Sequence, residues 1–193
     1  MNKDQILEVA AQIIRQKGFH ATSMQDIADA VNLQKARLYH HVSSKQEILL
    51  ALLDQALDML TERLQVVIQT NLPSDEKLHL AMDSFLEALM QHSDLVSVLL
   101  LEHRSLDPEF RDKHIARRDR YERLWRDLIQ EGMENGTFAK SNPVLSARAI
   151  LGVMNWTVTW YRSSGSLKME EITAHLVEFC LNGVLVHPST KER

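Results

Sequence analysis

Between Asp29 and Glu47 the chain carries no acidic residue, yet Lys35, Arg37, His40, His41 and Lys45 fall there with Tyr39 among them. Cations in an acid-free window suit contact with a polyanion, because ammonium and guanidinium groups pair with phosphate oxygens and displace condensed counterions. The whole chain of 193 residues is net −4, the wrong sign for a protein that coats nucleic acid. The expected footprint is therefore one small basic surface.

The elements around that window are those needed to present it. Met24, Ile27, Ala28 and Val31 recur at i, i+3, i+4 and i+7, an apolar stripe for a supporting helix of about two turns. Thr22 precedes it as the expected N-cap, with Gln25 three residues on. At Val31, Asn32 and Leu33 the stripe breaks, and Asn tolerates the left-handed backbone of a tight helix-to-helix turn. A second short helix, Gln34 to His41, would turn Leu38 inward and Gln34, Lys35, Arg37 and His40 outward. Ser44 with Glu47 reads as a further capping box that starts the next helix beside Lys45, a helix N-terminus where a phosphate would be welcome. Taken alone, an eight-residue basic helix is more often a solvated face than a DNA reader, and Tyr39 alone could be a core-edge aromatic. The flanking pattern decides between these.

That pattern is an amphipathic helix ending in KGF, then TSMQDIADAV, then LYHHV, then SSKQEIL. In order and spacing it closely resembles the DNA-binding domain of TetR-type transcriptional regulators over roughly residues 1 to 60. The resemblance implies that Tyr39 and Lys45 grip phosphates and that Gln34, Lys35 and Arg37 approach base edges. Thr22, Ser23 and His40 complete the expected DNA-contacting set. Two positions depart from the family: Asn32 stands where Gly is usual in the turn, and Val42 where an aromatic is usual after the recognition helix.

With 45% apolar residues the chain can build a real core. Its single cysteine, Cys180, excludes an intrachain disulfide and any CxxC metal site and fits a reducing, cytoplasmic setting. Met1 leads straight into NKDQILEVAAQIIRQKGF, a helix with Ile6, Ala10, Ile13 and Ile14 inward and Gly18 as its stop, so no signal peptide is expected. The longest apolar run, around Leu95 to Leu101, is far short of a membrane span. Strand signals are nearly absent. Breaks at NLPSD (71 to 75), HSD (92 to 94), SLDP (105 to 108), ENGTFAKSNP (134 to 143) and SSGS (163 to 166) divide the remainder into helices. Asp107 before Pro108 and Asn142 before Pro143 both look like an N-cap followed by Pro at the first helical position. The expected fold is all-α with about nine helices. Residues 1–60 would form a three-helix DNA-binding domain with a helix-turn-helix, and residues 61–193 a helical ligand-binding and dimerisation domain.

Two late helices read as an oligomer face. Pro143 to Tyr161 is apolar nearly all round, with Ile150, Leu151, Met154 and Val158 on one side and Val153, Trp156 and Trp160 on the other. Glu170 to Val186 offers Ile172, Leu176, Phe179 and Gly183. Two copies packed across a twofold axis would make a four-helix bundle, so a homodimer through residues 143–186 is expected; the alternative is that the pair closes the monomer core. A dimer would set two recognition helices about 34 to 36 Å apart on a palindromic double-stranded DNA operator.

The body also has the ingredients of a small-molecule site: Met82, Phe85 and Leu89 on one helix, and His114, Tyr121 and Trp125 on another whose stripe passes through Arg117 and Arg118. A polar strip of Arg148, Gly152, Asn155, Thr159 and Arg162 lies on an otherwise greasy helix. The segments RRDRYERLWRDLIQEGMENGTF and NWTVTWYRSSGSL resemble the ligand domain of the TetR branch that answers fatty-acyl or steroid-derived acyl-CoA thioesters. By that resemblance the acyl chain lies among Phe85, Trp125, Met154 and Trp156, and Arg117, Arg118 or Arg162 meet the CoA phosphates. The plainer reading pairs these arginines with neighbours such as Asp119 and Glu122. No catalytic motif appears: there is no phosphate-cradling Gly loop, and Glu102 with His103 is not HExxH. Nine histidines leave a metal-sensing regulator as the alternative, beside an unrelated hydrophobic drug-like effector, but no two histidines sit at i, i+4 on one helix. No resident cofactor, metal or membrane partner is expected. Ligand binding would favour an arrangement of the DNA-binding domains that misfits the operator, giving repression relieved by the effector.

Overall fold

The computed structural model describes residues 2–162 and 164–185. Among them the chain forms nine α-helices: α1 (Lys3–Lys17), α2 (Met24–Ala30), α3 (Lys35–Leu38), α4 (Lys45–Ile68), α5 (Ser74–Gln91), α6 (Ser93–Glu102), α7 (Pro108–Glu134), α8 (Pro143–Trp160) and α9 (Met169–Val184). A 3-10 turn, His103–Ser105, follows α6. The extended structure among these residues is an isolated antiparallel bridge between Phe138 and Leu185. This is the all-α architecture read from the sequence, a helix-turn-helix followed by a helical body. Val186 and Ser163, which the sequence places in the dimer segment and in the last turn, lie outside the described residues.

The helix ends show which local signals prevailed. Gly18, at φ +82°, closes α1 by donating its N–H to the Ile14 carbonyl, a left-handed position that costs Gly nothing. At α2 the cap is Ser23 rather than Thr22. Ser23 Oγ accepts from the Asp26 N–H at 3.0 Å while the Asp26 carboxylate accepts from the Ser23 N–H at 2.7 Å. Thr22 is buried instead, its hydroxyl donating to the Gly18 carbonyl at 2.8 Å. Lys17 also bonds Asp26, and with Ser23 it holds that carboxyl far below the usual carboxylate range. Asn142 caps α8 as expected, accepting from the N–H groups of Val144 and Leu145 with Pro143 behind it.

Two compact units emerge. The first joins the chain up to Met59 with Gln91–Asp119, so residues 91–119 pack with the N-terminal helices rather than with the rest of the body. Its core takes Ile6, Ala10 and Ile14 from α1, Ile27 and Ala28 from α2, Leu38 from α3, Ile48, Leu49 and Leu53 from α4, and Val96 and Val98 from α6. Polar fasteners run between the same elements. Arg15 reaches Ser93 and Asp94 at 2.8 and 2.7 Å, Glu102 accepts from the Phe19 N–H, and the Gln46 amide bonds the Ser105 carbonyl and the Asp107 N–H at 3.0 and 3.1 Å.

The second unit joins Leu60–Met90 with the chain from Arg120 on. Leu78, Met82, Phe85, Leu86 and Leu89 of α5, Trp125, Leu128 and Ile129 of α7, and Ile150 and Met154 of α8 are buried in it. Gly132 makes room for Phe138, because a Cβ at that position would lie 2.1 Å from the phenyl ring. Buried Lys77 is paired with Glu131 at 2.9 Å.

Candidate nucleic-acid interface

The turn between α2 and α3 is built as its residues require. Asn32 takes φ +53°, a left-handed conformation, and the Leu33 N–H reaches back to the Ala28 carbonyl at 2.9 Å. Gln34 then starts α3 from an extended backbone and makes no side-chain cap bond. The reading helix is shorter than the eight residues expected. It has one α turn, in which Leu38 and Tyr39 bond back to Gln34 and Lys35, and then tightens to i, i+3 bonds from His40 to Arg37 and from His41 to Leu38. Leu38 is fully buried and pins this segment. Gln34, Lys35, Arg37, Tyr39 and His40 are all exposed, and no side chain of the five makes a hydrogen bond or ion pair among the described residues. Tyr39 is 45% exposed.

The other residues expected at DNA are used to hold the motif. Thr22 is buried, and Ser23 is exposed but bonded through its hydroxyl to Asp26 at 2.5 Å. Lys45 donates to the carbonyls of Phe19 at 2.8 Å and Thr22 at 2.6 Å, and its ammonium lies 4.4 Å from the centroid of the Phe19 ring. Phe19 thus supplies the aromatic support that Val42, buried beside the turn, does not. The start of α4 also differs from expectation. Ser44 Oγ accepts from the Glu47 N–H at 3.0 Å, but the Glu47 carboxylate turns to the N–H and hydroxyl of Ser43 and to Lys3. These bonds pull the Glu47 carboxyl down to about 2, and the helix N-terminus already has an anion.

In the second unit Met82, Phe85, Leu89, Tyr121, Trp125 and Met154, the residues expected at an apolar ligand site, are all buried. The Tyr121 and Trp125 rings meet edge to face at 6.4 Å, and burial pushes the Tyr121 phenol upward against the smaller downward pull of the Trp125 indole N–H. Asn155 is half-buried. Trp156, expected against the acyl chain, is 66% exposed and lies on the opposite, open side of α8 from buried Met154; Arg162 is exposed too. Arg117 and Arg118 belong to the first unit. Arg117 Nε lies 3.1 Å from Asp54 Oδ1 and its guanidinium also binds Asp58, so two carboxylates of α4 already neutralise it. Burial outweighs this pairing at Asp54 and raises its carboxyl. Arg118 pairs with Asp119, whereas Glu122 takes Arg148 at 2.8 Å.

Helices α8 and α9 leave an apolar surface uncovered. Leu145, Trp156 and Trp160 of α8 and Phe179 of α9 are exposed at 62, 66, 41 and 64%. A Cβ at Gly152 or Gly183 would meet nothing within 4 Å. Ile172 is buried in the unit rather than on this surface. Among the described residues no group of three or more His, Cys, Asp or Glu could hold a metal ion. No single described helix is long and apolar enough to cross a membrane.

A short exposed basic reading segment on a helix-turn-helix, joined to a helical body, defines a DNA-binding regulator. The family described as bacterial regulatory proteins, tetR family, matches residues 6–52, and the tetracyclin repressor-like C-terminal domain matches residues 71–184. The chain belongs to the TetR family of transcriptional regulators, whose members are not enzymes and use no catalytic cofactor. It is 30% identical over 185 residues to the HTH-type transcriptional repressor KstR2 of Mycobacterium tuberculosis, covering 94% of this chain and 92% of that one. The crystal structure of the TetR family regulator PfmR from Thermus thermophilus superposes with a TM-score of 0.85 at 36% identity, over 92% of this chain and 97% of PfmR. AibR, solved in complex with isovaleryl coenzyme A and operator DNA, gives a TM-score of 0.87 at 29% identity, over 93% and 97%.

Proposed function

We propose that the protein is a cytoplasmic transcriptional repressor that binds a palindromic operator as a homodimer and releases it on binding an acyl-CoA thioester. The observation that carries the DNA half is the exposed, unpaired row Gln34, Lys35, Arg37, Tyr39 and His40 on either side of a buried Leu38. Side chains with no internal partner break no bond within the protein when they turn to bases and phosphates. In this reading Gln34, Lys35 and Arg37 meet base edges, Tyr39 and His40 meet the backbone, and Thr22, Ser23 and Lys45 act mainly by holding the motif. The large apolar side chains left exposed on α8 and α9, with open space at Gly152 and Gly183, support the dimer. The effector class rests on the buried Met82, Phe85, Leu89, Tyr121, Trp125 and Met154, on the repressor KstR2, and on the isovaleryl coenzyme A bound by AibR. Arg162, in the same unit as this apolar set, is exposed and is the cation assigned to the CoA phosphates.

Selection from random duplexes followed by gel shift tests the reading. A two-fold symmetric site should emerge, isovaleryl-CoA should release it, and Arg37→Ala should lose about 1–3 kcal/mol on the selected site with a smaller loss on random DNA. Equal losses on both DNAs would reject base reading by Arg37. Release by divalent metals alone would reject the acyl-CoA effector.

A further inference from the structure

The reading segment is pinned by the fully buried Leu38, and one α turn is held around it by bonds from the Leu38 N–H to the Gln34 carbonyl at 3.1 Å and from the Tyr39 N–H to the Lys35 carbonyl at 3.2 Å. On such a turn, residues two apart point about 160° away from each other. The side chain opposite the buried anchor is therefore that of Ala36, which is exposed. Lys35 and Arg37 flank it. Among the exposed residues from Gln34 to His40, Ala36 is the one with an aliphatic side chain. Its shortness matters as much as its chemistry. With only a Cβ on the crest, the turn can bring its backbone close to the floor of a groove that admits a helix, while the long Lys35 and Arg37 reach to either side.

The major-groove edges of the base pairs carry hydrogen-bonding atoms and a single methyl, that of thymine. A side chain without donor or acceptor, pressed against N7, O6 or an amino group, strips water from that atom and returns no bond. Against the thymine methyl there is no bond to forfeit, and two apolar groups leave water together. We infer that Ala36 is a further specificity-determining residue, its methyl seated on the 5-methyl of a thymine in each operator half-site. The inference rests on the DNA-reading role proposed above and adds to it a residue with no polar side-chain atom and the base that it selects.

The test takes the duplex selected by the full-length wild-type protein and replaces its thymines, one position at a time in both half-sites, by deoxyuridine, which lacks only the methyl. Gel shift should find a position at which wild type loses roughly fourfold per half-site, the worth of one buried methyl, and about fifteenfold over both. Ala36→Gly should bind the thymine and uracil duplexes alike at that position. Because glycine also loosens a short helix, NMR of wild type labelled at its alanine methyls gives a second readout. The Ala36 signal should differ between the complexes with the thymine and the uracil duplex. A uracil series without such a loss, an equal loss in Ala36→Gly, or an Ala36 signal that stays in place overturns the inference and leaves DNA reading by Lys35 and Arg37 standing. Wild type that selects no specific duplex overturns the repressor reading and the inference together.

Discussion

Replacing Lys45 by Met keeps the aliphatic stem and removes the ammonium, and the structure assigns the cost. Two charge-assisted bonds, to the carbonyls of Phe19 and Thr22, disappear together with the contact over the Phe19 ring. Hydrogen bonds to charged groups contribute about 1.5–3 kcal/mol each, and these are part-buried, so the lower figure applies. The ring contact adds about 0.5 kcal/mol, and roughly 1 kcal/mol is offset by side-chain entropy regained. The net loss is about 2–3 kcal/mol, which for a chain of this size lowers the melting temperature by about 5–10 °C. Circular dichroism melts measure it. The competing role, a phosphate grip, predicts otherwise: each lost contact removes about 0.9 from the slope of log K against log salt, nearly two units per dimer, with stability unchanged. A variant that melts like wild type and binds operator with a salt slope shallower by two units would refute the inward role of Lys45.

Asn32→Ala should cost about 1–2 kcal/mol because Ala at φ +53° clashes with its own carbonyl, whereas Asn32→Gly should be neutral or stabilising; denaturant titration separates the two. Trp156→Glu or Phe179→Glu should turn a dimer into a monomer in sedimentation, each weakening association by roughly a thousandfold when the change is counted in both copies, and a variant that stays dimeric would remove that residue from the interface. Glu47, with a folded-state value of about 2 against an ordinary 4.5, contributes stability that is fully present above about pH 4.5 and lost as the pH falls through about 2. Glu47→Gln should flatten that acid limb of the stability profile.

The helix-turn-helix is legible in the sequence because its signals are local. The stripe of Met24, Ile27, Ala28 and Val31 needs only a seven-residue window, and Asn32 announces its left-handed turn by residue type alone. The cap falls one residue from its expected place because Thr22 and Ser23 are both competent caps; Thr22 is drawn inward by the Gly18 carbonyl, which no propensity encodes. Lys45 is ambiguous in sequence because a lysine beside a helix N-terminus looks alike whether it faces phosphate or two carbonyls from 23 and 26 residues upstream. In the body, periodicity finds which residues are apolar but not what covers them. Met154 and Trp156 belong to the same greasy helix, yet one is fully buried and the other open. Arg117 shows the same limit, since the carboxylates that neutralise it are 59 and 63 residues away in the chain and leave no local trace.

That long-range packing bears on how a signal could reach DNA. Within the first unit, α6 and the start of α7 are fastened to the reading domain at three separate places: Arg15 to Ser93 and Asp94, Glu102 to the Phe19 N–H, and Gln46 to both Ser105 and Asp107. The Glu102 bond falls on the same residue whose carbonyl Lys45 holds, so Phe19 is gripped at its N–H by the α6 end and at its oxygen by the α4 start. The segment where α1 ends and the helix-turn-helix begins is thus tied to the end of α6 by polar bonds as well as by the shared apolar core. Each link is exposed or part-buried and individually weak. Acting together over three elements they hold α6, the 3-10 turn and the start of α7 to the segment that begins the helix-turn-helix, so loosening any one of them leaves the other two in place.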